Sequence, residues 1–343
     1  MAVTMNNNAR PGDADRDAGA SPLRASVVIP AYNAAAVLPG ALTALGAQTL
    51  PAGSFEVIVV DDGSRDETAA VAGRLGARVL RQENRGPGAA RNAGARAARG
   101  EILLFTDADC EPAPDWLERM LAPFADPAAA GAQGAYLTRQ RSLAARFAQL
   151  EFEDRYRLQA KNARISMVAT YAAAYRRDIF LENGGFDERF TEANNEDAEF
   201  SYRLHGKGKK LVFVPLARTY HRHPGTLRRY LRVKFLRAYW RMFVYRDHPG
   251  KIAHDGYTPQ SVKFQALCGA GMLAAALPAL VWPLMQAAFW LCFWGAFLSG
   301  LPFAARSFAK DPAAALAAPG IILLRSLVFG AGSLYGAFRA RTW

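Results

Sequence analysis

Phe55-Glu-Val-Ile-Val-Val-Asp61-Asp62-Gly63-Ser64 is the stretch that decides the fold class, because an apolar run of strand length ends abruptly in two acids. A second run of this kind is Glu101-Ile-Leu-Leu-Phe-Thr-Asp107-Ala-Asp109. Continuous apolar runs are typical of strands buried on both faces of a parallel sheet, and the carboxyl ends of such strands open onto a ligand crevice. The sequence therefore predicts a ligand site where these four acids meet.

The spacing Asp107-Ala-Asp109 points to the kind of ligand. Two carboxylates spaced in this way hold a hard divalent cation through oxygen atoms, and Mg²⁺ bound so is usually shared with substrate phosphates. The implied ligand is a nucleotide diphosphate. The alternative is that the acids are turn and helix-capping residues, for which Asp is favoured. Two clusters at two strand ends favour the ligand site.

The rest of the first half alternates strands and helices. A short apolar strand, Ser26-Val-Val-Ile-Pro30, is followed by predicted helices over 35–48, 66–75 and 89–98, with a strand at 78–80 between the last two. This alternation is typical of right-handed βαβ units. We expect an α/β fold with a mainly parallel sheet flanked by helices.

Six motifs in order carry a resemblance to a known family. They are Val27-Val-Ile-Pro-Ala-Tyr-Asn33, Val59-Val-Asp-Asp-Gly-Ser-Arg-Asp66, Asn84-Arg-Gly-Pro-Gly-Ala-Ala-Arg91-Asn92-Ala-Gly94, Phe105-Thr-Asp-Ala-Asp109, Gly184-Gly-Phe-Asp-Glu188 and Glu196-Asp-Ala-Glu-Phe-Ser-Tyr-Arg203. Together they resemble the landmarks of a family 2 glycosyltransferase with the GT-A fold, over roughly residues 26–224. One such motif is weak, whereas the ordered series is specific.

The resemblance implies inverting transfer of a sugar from a nucleotide-diphosphate donor to an acceptor hydroxyl. It places Pro30, Ala31, Tyr32 and Asn33 in the base and ribose pocket of the donor. Asp62, with Asp61 beside it, would contact the base, Arg91 would lie near the donor at the start of a helix, and Asp107 would address the ribose and the metal.

The resemblance also implies a general base and a metal site. A carboxylate must accept the proton of the attacking hydroxyl, and Asp197 has the position for this role, with Glu196 as the second candidate. Asp197 would otherwise be the N-cap of a helix over 198–204. Asp109 is the main expected ligand of Mn²⁺ or Mg²⁺, together with Asp107 and His221. His221 would favour Mn²⁺, and His223 is a weaker candidate.

Charge and cysteine content bound the second half of the chain. The net charge is +12, and nine Lys or Arg lie between His221 and Lys251, interleaved with aromatic residues. Such a segment binds nucleic acid, an anionic membrane or a phosphorylated substrate. Its cations fall on two sides of a helix, with Arg228, Arg232 and Arg246 opposite Lys234, Arg237 and Arg241. Three cysteines without metal spacing indicate reduced thiols.

The sequence that follows decides between these partners. No Asp, Glu, Lys, Arg or His occurs from Phe264 to Phe303. At about 1.5 Å per residue this is roughly 60 Å of helix, or two crossings of a bilayer core of about 30 Å. A third apolar stretch, 313–338, contains Arg325 and is expected to be tilted, interfacial or packed against protein. The basic segment then marks the cytoplasmic side, which excludes nucleic acid as the favoured partner.

These patterns predict four regions. They are a disordered tail (1–23), a GT-A catalytic domain (24–225), a basic aromatic juxtamembrane segment (226–262) and transmembrane helices (263–338, with spans at 264–282, 284–303 and possibly 313–338). The expected location is the cell inner membrane, as a multi-pass protein with a cytoplasmic catalytic domain.

The acceptor is expected to be lipid-linked or membrane-proximal. The chain lacks the Gln-x-x-Arg-Trp signature of processive synthases and looks more like the succinoglycan-type enzymes of exopolysaccharide assembly. Two other classes remain open: a nucleotidyltransferase with a similar Asp-x-Asp site, which would release pyrophosphate, and an inactive membrane scaffold, which would bind no donor. The sequence names neither the sugar nor the acceptor.

Overall fold

An eight-stranded mixed sheet forms the centre of the protein. The computed structural model describes residues 23–51, 53–191 and 195–343, so the predicted disordered tail lies outside the described residues except for Leu23. The strand order is β3-β2-β1-β4-β7-β6-β8-β5. The strands are β1 (Ala25–Ala31), β2 (Phe55–Asp61), β3 (Arg78–Arg81), β4 (Ile102–Phe105), β5 (Cys110–Pro112), β6 (Ala129–Leu137), β7 (Ala173–Arg176) and β8 (Lys210–His221).

The first four strands confirm the predicted parallel βαβ arrangement. β1 pairs in parallel with β2 and β4, and β2 pairs in parallel with β3. Residues Val27–Ile29, Ile58–Val60 and Leu103–Phe105 have no exposed surface, as expected for strands covered on both faces. Helices α1 (Leu38–Gly46), α2 (Thr68–Arg74) and α3 (Pro87–Ala97) connect them.

The complete sheet is mixed rather than mainly parallel. Three of its seven pairings are antiparallel, and all three involve β5 or β7; the remaining parallel pair is β6 with β8. β6 has the sequence Ala-Ala-Gly-Ala-Gln-Gly-Ala-Tyr-Leu and lacks the β-branched residues that mark a strand. The sequence pattern therefore does not predict β6.

Strand order reverses at β1, whose neighbours β2 and β4 lie on opposite sides. In an open α/β sheet such a reversal leaves a crevice beyond the carboxyl ends of the strands. Asp61 closes β2, and Asp107 follows β4 by two residues. The sheet therefore brings both acidic clusters to the same edge, as the sequence predicts.

Four further helices pack against the sheet: α4 (Trp116–Leu121), α5 (Leu143–Gln159), α6 (Arg177–Glu182) and α7 (Glu196–Gly206). The last four form a helical layer beside this domain: α8 (Leu227–Asp247), α9 (Gln260–Ala275), α10 (Pro283–Phe308) and α11 (Pro312–Ala340). By length and composition α10 and α11 are apolar enough to cross a membrane, a property that a core helix of a soluble protein can share.

The helix bounds differ from the predicted spans. α9 has 16 residues and ends at Ala275, before a 3-10 turn that begins at Pro278. A helix of this length measures about 24 Å, which is shorter than a bilayer core of about 30 Å. The span predicted over 264–282 is therefore not one helix, because proline interrupts it.

α11 packs along α8, which is the third of the alternatives considered for 313–338. In an apolar 18-residue stretch of α11, 50% is buried inside the protein, against 11% for the corresponding stretch of α10. Gly332 and Gly336 allow close approach, because a Cβ at either position would meet the carbonyl oxygen of Phe235 or Tyr239 on α8. The predicted juxtamembrane segment thus contains a helix that is covered by α11.

A buried charge cluster joins the helical layer to the domain. Lys234 Nζ of α8 lies 2.6 Å from Glu151 Oε2 of α5, and Arg325 of α11 donates to Glu151 and to Gln265 of α9. Burial alone would raise the pKa of Glu151, but the charges of Lys234 and Arg325 hold the pKa below its usual range. Arg325 is therefore paired inside protein and is not exposed to lipid.

We predict that Arg325→Met lowers the free energy of unfolding by about 3 kcal/mol, because it removes one partner of a buried charge network. The matched change Arg306→Met removes an ion pair with Asp154 at a side chain that is 41% exposed, and it should cost about 1 kcal/mol or less. Denaturant unfolding of both variants in detergent measures the difference. Equal losses would contradict the role of the cluster.

Candidate functional site

Two loops interlock at the carboxyl ends of β1 and β2. Asn33, in the left-handed conformation with φ 48°, donates its backbone N–H to Ser64 Oγ at 2.9 Å and accepts from the Arg65 N–H at 2.9 Å through Oδ1. The Tyr32 side chain beside it is 49% exposed. The structure therefore brings the predicted donor residues 30–33 beside the Asp61–Ser64 turn and leaves an aromatic ring available to a ligand.

The carboxylates of Asp61 and Asp62 bind groups of the protein itself. Asp61 accepts from the Ser64 N–H at 3.0 Å. Asp62 accepts from Gln82 Nε2 at 2.7 Å and from the backbone N–H groups of Arg85 and Gly86 at 3.0 and 2.9 Å. These contacts agree with the alternative interpretation, in which Asp61 and Asp62 are turn and helix-capping residues. Contact of Asp62 with a nucleotide base stays a prediction.

Asp62 also fixes the start of α3. Gly86 is the N-cap of α3 and has a φ of 87°, and a Cβ there would meet the backbone of Thr191. Glycine is therefore required on two grounds, conformation and space. The capped helix start sets the position of Arg91 on the next turn.

Arg91 links the two acidic regions of the chain. Its Nη2 lies 2.7 Å from Asp107 Oδ1, and its Nη1 lies 2.7 Å from Glu196 Oε1. Burial alone would lower the pKa of Arg91, but the two carboxylates raise it, so the guanidinium stays charged. The family resemblance predicts that Arg91 lies near the donor, but nothing in the sequence indicates the ion pair between Arg91 and Glu196.

Glu196 and Asp197 open α7. The N-cap is Asn195, with a φ of 66°, so Asp197 lies in the first turn and the interpretation of Asp197 as an N-cap is wrong. Asp197 Oδ1 accepts from the Ala198 N–H at 2.8 Å. Burial raises the pKa of Asp197 against the opposing charges of Arg241 and Arg91. Burial also raises the pKa of Glu196, to about 7.

Asp109 and His221 approach each other where β5 pairs with β8. Cys110 is opposite His221 in the register, and His221 Nε2 lies 3.8 Å from Asp109 Oδ2. Ligand atoms of Asp109, Cys110 and His221 lie within 4.8 Å of one another. A carboxylate and an imidazole fit Mn²⁺, whereas burial raises the pKa of the Cys110 thiol and keeps it a poor ligand for a hard cation.

Two other predicted ligands have partners of their own. His223 is buried and its Nε2 lies 3.0 Å from Gln149 Oε1, while its Nδ1 lies 3.3 Å from His221 Nδ1. Asp107 is held by Arg91. Asp107 therefore lies between Arg91, with which it is paired, and Asp109, which is two residues away and faces His221. His223 contacts the other ring nitrogen of His221 and so orients that ring.

A cavity of about 520 Å³ includes Asp107 in its lining, whereas Asp109, His221 and His223 do not line it. The predicted donor residues 30–33, 61 and 62 do not line it either. At one end it is lined by Arg91, Asp107, Glu196 and Asp197, and at the other by residues of α9 and α11. The sequence missed Tyr136, Arg155 and Tyr171, which also line this cavity. Their elements, β6, α5 and a 3-10 turn, carry no motif, so only the fold brings them to the site.

The two-sided distribution of cations on α8 has a structural cause. Arg228 and Arg232 are exposed, whereas Lys234 is buried against Glu151 and both Arg237 and Arg241 line the cavity. From the sequence alone, all the Lys and Arg residues of this segment are expected to face a membrane surface. On a helix with 3.6 residues per turn these cations fall on two different faces, and this pattern in the sequence already indicates that one group faces inward.

Comparisons with known proteins agree with this geometry. Residues 26–184 match the family model "Glycosyl transferase family 2". The pre-mycofactocin glycosyltransferase of Mycobacterium tuberculosis is 32% identical over 213 residues, which are 59% of this chain and 43% of that protein. The validoxylamine A glucosyltransferase of Streptomyces hygroscopicus subsp. jinggangensis is 36% identical over 218 residues, which are 53% of this chain and 51% of that protein. The chain thus spans about half the length of these relatives.

Among solved structures, a mannosyltransferase from Pyrobaculum calidifontis in complex with GDP-Man and Mn²⁺ is similar over 94% of this chain and 90% of its own, with a TM-score of 0.57 and 23% identity. This likeness concerns the fold, and it extends through the C-terminal helices. The expected GT-A fold is confirmed.

Proposed function

Residues 26–184 form a domain of glycosyltransferase family 2, and we propose that the whole chain is an inverting, cation-dependent glycosyltransferase acting at a membrane. The single observation that carries the proposal is the Arg91 cluster, which joins Asp107 at the end of the sheet to the Glu196–Asp197 pair at the start of α7. Donor-side and acceptor-side carboxylates are thereby held at one cavity. The related glycosyltransferases support the reaction class.

The donor would lie at the carboxyl ends of β1, β2 and β4. Pro30, Ala31, Tyr32 and Asn33 would contact the base and ribose, in the loop that Ser64 and Arg65 hold in place. Asp61 and Asp62 would shape the base pocket through the backbone they cap. Arg91 keeps Asp107 in position for the ribose and the cation.

Asp109 and His221, with Asp107 nearby, would hold a divalent cation. When bound, it would act as a Lewis acid on the departing diphosphate oxygens. Asp109 is 37% exposed at its side chain and faces His221 Nε2, so both groups are available to a ligand. His223 holds the other ring nitrogen of His221 and thereby its orientation.

Asp197 is the base in this proposal. The acceptor oxygen attacks the anomeric carbon, the bond from this carbon to the diphosphate breaks, and the hydroxyl proton passes to the Asp197 carboxylate. One displacement inverts the configuration. Glu196 is committed to Arg91 at 2.7 Å, so its role is to position Arg91. Asp197 lines the cavity and is not in an ion pair within 4 Å among the described residues.

The helical layer would attach the enzyme to the cytoplasmic face of the cell inner membrane. The turn between α9 and α10 exposes Leu277, Leu280 and Val281 at 76% or more, and α10 is mostly uncovered. Such a continuous apolar surface is typical of membrane contact. The other end of α10 is tied to α5 by Arg306–Asp154 and Lys310–Glu153, so we propose that the α9–α10 hairpin enters the bilayer.

We predict that Asp197→Asn lowers kcat roughly 10²-fold or more with little change in donor affinity, because only proton transfer is lost. Glu196→Gln should instead weaken donor binding, since Arg91 loses a partner. Release of nucleoside diphosphate and donor titration measure the two effects. If Asp197→Asn lost donor affinity as strongly as rate, it would not be the base. Release of pyrophosphate would refute the reaction class.

We predict that Asp109→Asn abolishes turnover and weakens Mn²⁺-dependent donor binding with the fold retained, because one carboxylate ligand is lost. Glu182→Gln, at the exposed end of α6, is the matched control and should behave as wild type. Donor titration with and without Mn²⁺ and far-UV circular dichroism are the measurements. Full activity in excess EDTA would overturn the cation requirement.

We predict that the protein stays in the membrane pellet after washes with high salt and alkaline carbonate, because burial in hydrocarbon is not screened by ions. The double variant Leu280→Asp and Val281→Asp should reduce the pelleted fraction. Leu75→Asp, at an equally apolar position that is 47% exposed on the catalytic domain, should not. Complete release of the wild type by salt alone would contradict membrane insertion.

A further inference from the structure

The cavity at the candidate active site changes character along its length. Near the sheet it is lined by the acids Asp107, Glu196 and Asp197, and near the helical layer by Leu267, Ala270, Phe329 and Leu334. The lining also includes three arginines, Arg155, Arg237 and Arg241. The family model covers residues 26–184, so it does not include Arg237, Arg241 or the apolar residues of α9 and α11.

Among the described residues, these three arginines differ from Arg91, Lys234 and Arg325 in lacking an ion-pair partner. Within the described ranges, no carboxylate oxygen lies within 4.0 Å of Arg155, Arg237 or Arg241. By contrast, Arg91 has two carboxylates, and Arg325 and Lys234 share Glu151. Buried charges are normally paired, because removing an unpaired charge from water is costly.

The surroundings of the arginines hold them toward the cavity. Arg155 is only 7% exposed, and its guanidinium lies 5.1 Å from the centre of the Phe152 ring and 5.2 Å from that of Tyr257. Arg241 Nη1 donates to Tyr202 Oη at 3.0 Å. The groups they contact are aromatic rings and a hydroxyl, and carboxylates such as Asp197 and Asp255, which attract Arg241, act from beyond 4.0 Å. Such a set suits the oxygens of a phosphate or diphosphate group.

The apolar end leads to the surface of the helical layer. Leu267 of α9 is 70% exposed and Leu334 of α11 is 54% exposed, and both line the cavity. The neighbouring surface of α10 is also apolar and uncovered. An apolar chain that lies against this surface would meet apolar side chains of α9 and α11 as it enters the cavity. A small water-soluble anion would leave this end of the cavity unused.

We infer that Arg155, Arg237 and Arg241 form a subsite for the phosphate or diphosphate group of a lipid whose apolar chain leaves between α9 and α11. That this lipid is the sugar acceptor rests on the proposed function. Arg237, Arg241 and Asp197 line the same cavity, so a hydroxyl group attached beyond the phosphate would share this cavity with the proposed base. The donor diphosphate would lie on the other side, at Asp107 and Asp109.

Binding to the full-length protein in detergent tests this subsite without requiring turnover. The probes are farnesyl phosphate, its uncharged counterpart farnesol and inorganic pyrophosphate, titrated by intrinsic tryptophan fluorescence. Farnesyl phosphate should bind at least about tenfold more tightly than farnesol or pyrophosphate, because it occupies both the charged and the apolar part of the cavity.

Substitutions separate the two ends. Arg237→Gln and Arg241→Gln should each weaken farnesyl phosphate binding about tenfold or more, as expected for loss of a contact between opposite charges. Arg232→Gln, on the exposed side of the same helix, should leave it unchanged. Leu334→Gln should weaken farnesyl phosphate binding but not pyrophosphate binding. These side chains are partly or largely exposed, so the variants should fold.

Two results would overturn the subsite. One is equal affinity for farnesyl phosphate and farnesol, or equal effects of Arg232→Gln and Arg237→Gln. The other is competitive displacement of farnesyl phosphate by UDP or GDP with Mn²⁺, which would assign the arginines to the donor. Failure of donor turnover with intact binding would refute the glycosyltransferase proposal and leave the lipid-phosphate subsite standing.

Discussion

The double ion pair of Arg91 is the interaction on which the site depends. A buried guanidinium bonded to Asp107 and Glu196 fixes the distance between the end of β4 and the start of α7, two elements that are far apart in sequence. Losing either partner would leave an uncompensated charge in a buried place. The ion pairs therefore fix the position of Asp107 relative to Glu196 and the neighbouring Asp197. Asp62 contributes by capping the start of α3, the helix that carries Arg91.

A second buried charge cluster fixes the helical layer to the catalytic domain in the same way, through ion pairs between distant elements. Glu151 holds Lys234 and Arg325, so α5, α8 and α11 are tied at one point. α8 can then present its remaining inward cations, Arg237 and Arg241, to the cavity. The basic segment thus has two groups of cations, of which one is exposed and the other is buried or lines the cavity.

Recognition by motifs succeeded where a residue's role is set by its neighbours in sequence. The runs that end at Asp61 and Asp107 predicted buried parallel strands, and these are present. Asp107 lines the cavity, whereas Asp61 does not. The Glu196–Asp197 pair was likewise placed at a helix start. Local propensity could not reveal β6, because its Ala- and Gly-rich strand forms only through pairing with β7 and β8.

The sequence by itself determined the fold class, the acidic edge of the sheet and the apolar character of the C-terminal third, because strand burial and long uncharged runs are encoded by adjacent residues. Only the tertiary structure decided that Arg91 pairs with Glu196, that α11 covers α8, and that Arg155 joins Arg237 and Arg241. These contacts unite residues from distant parts of the chain. Their geometry follows from packing between elements, which no local pattern specifies.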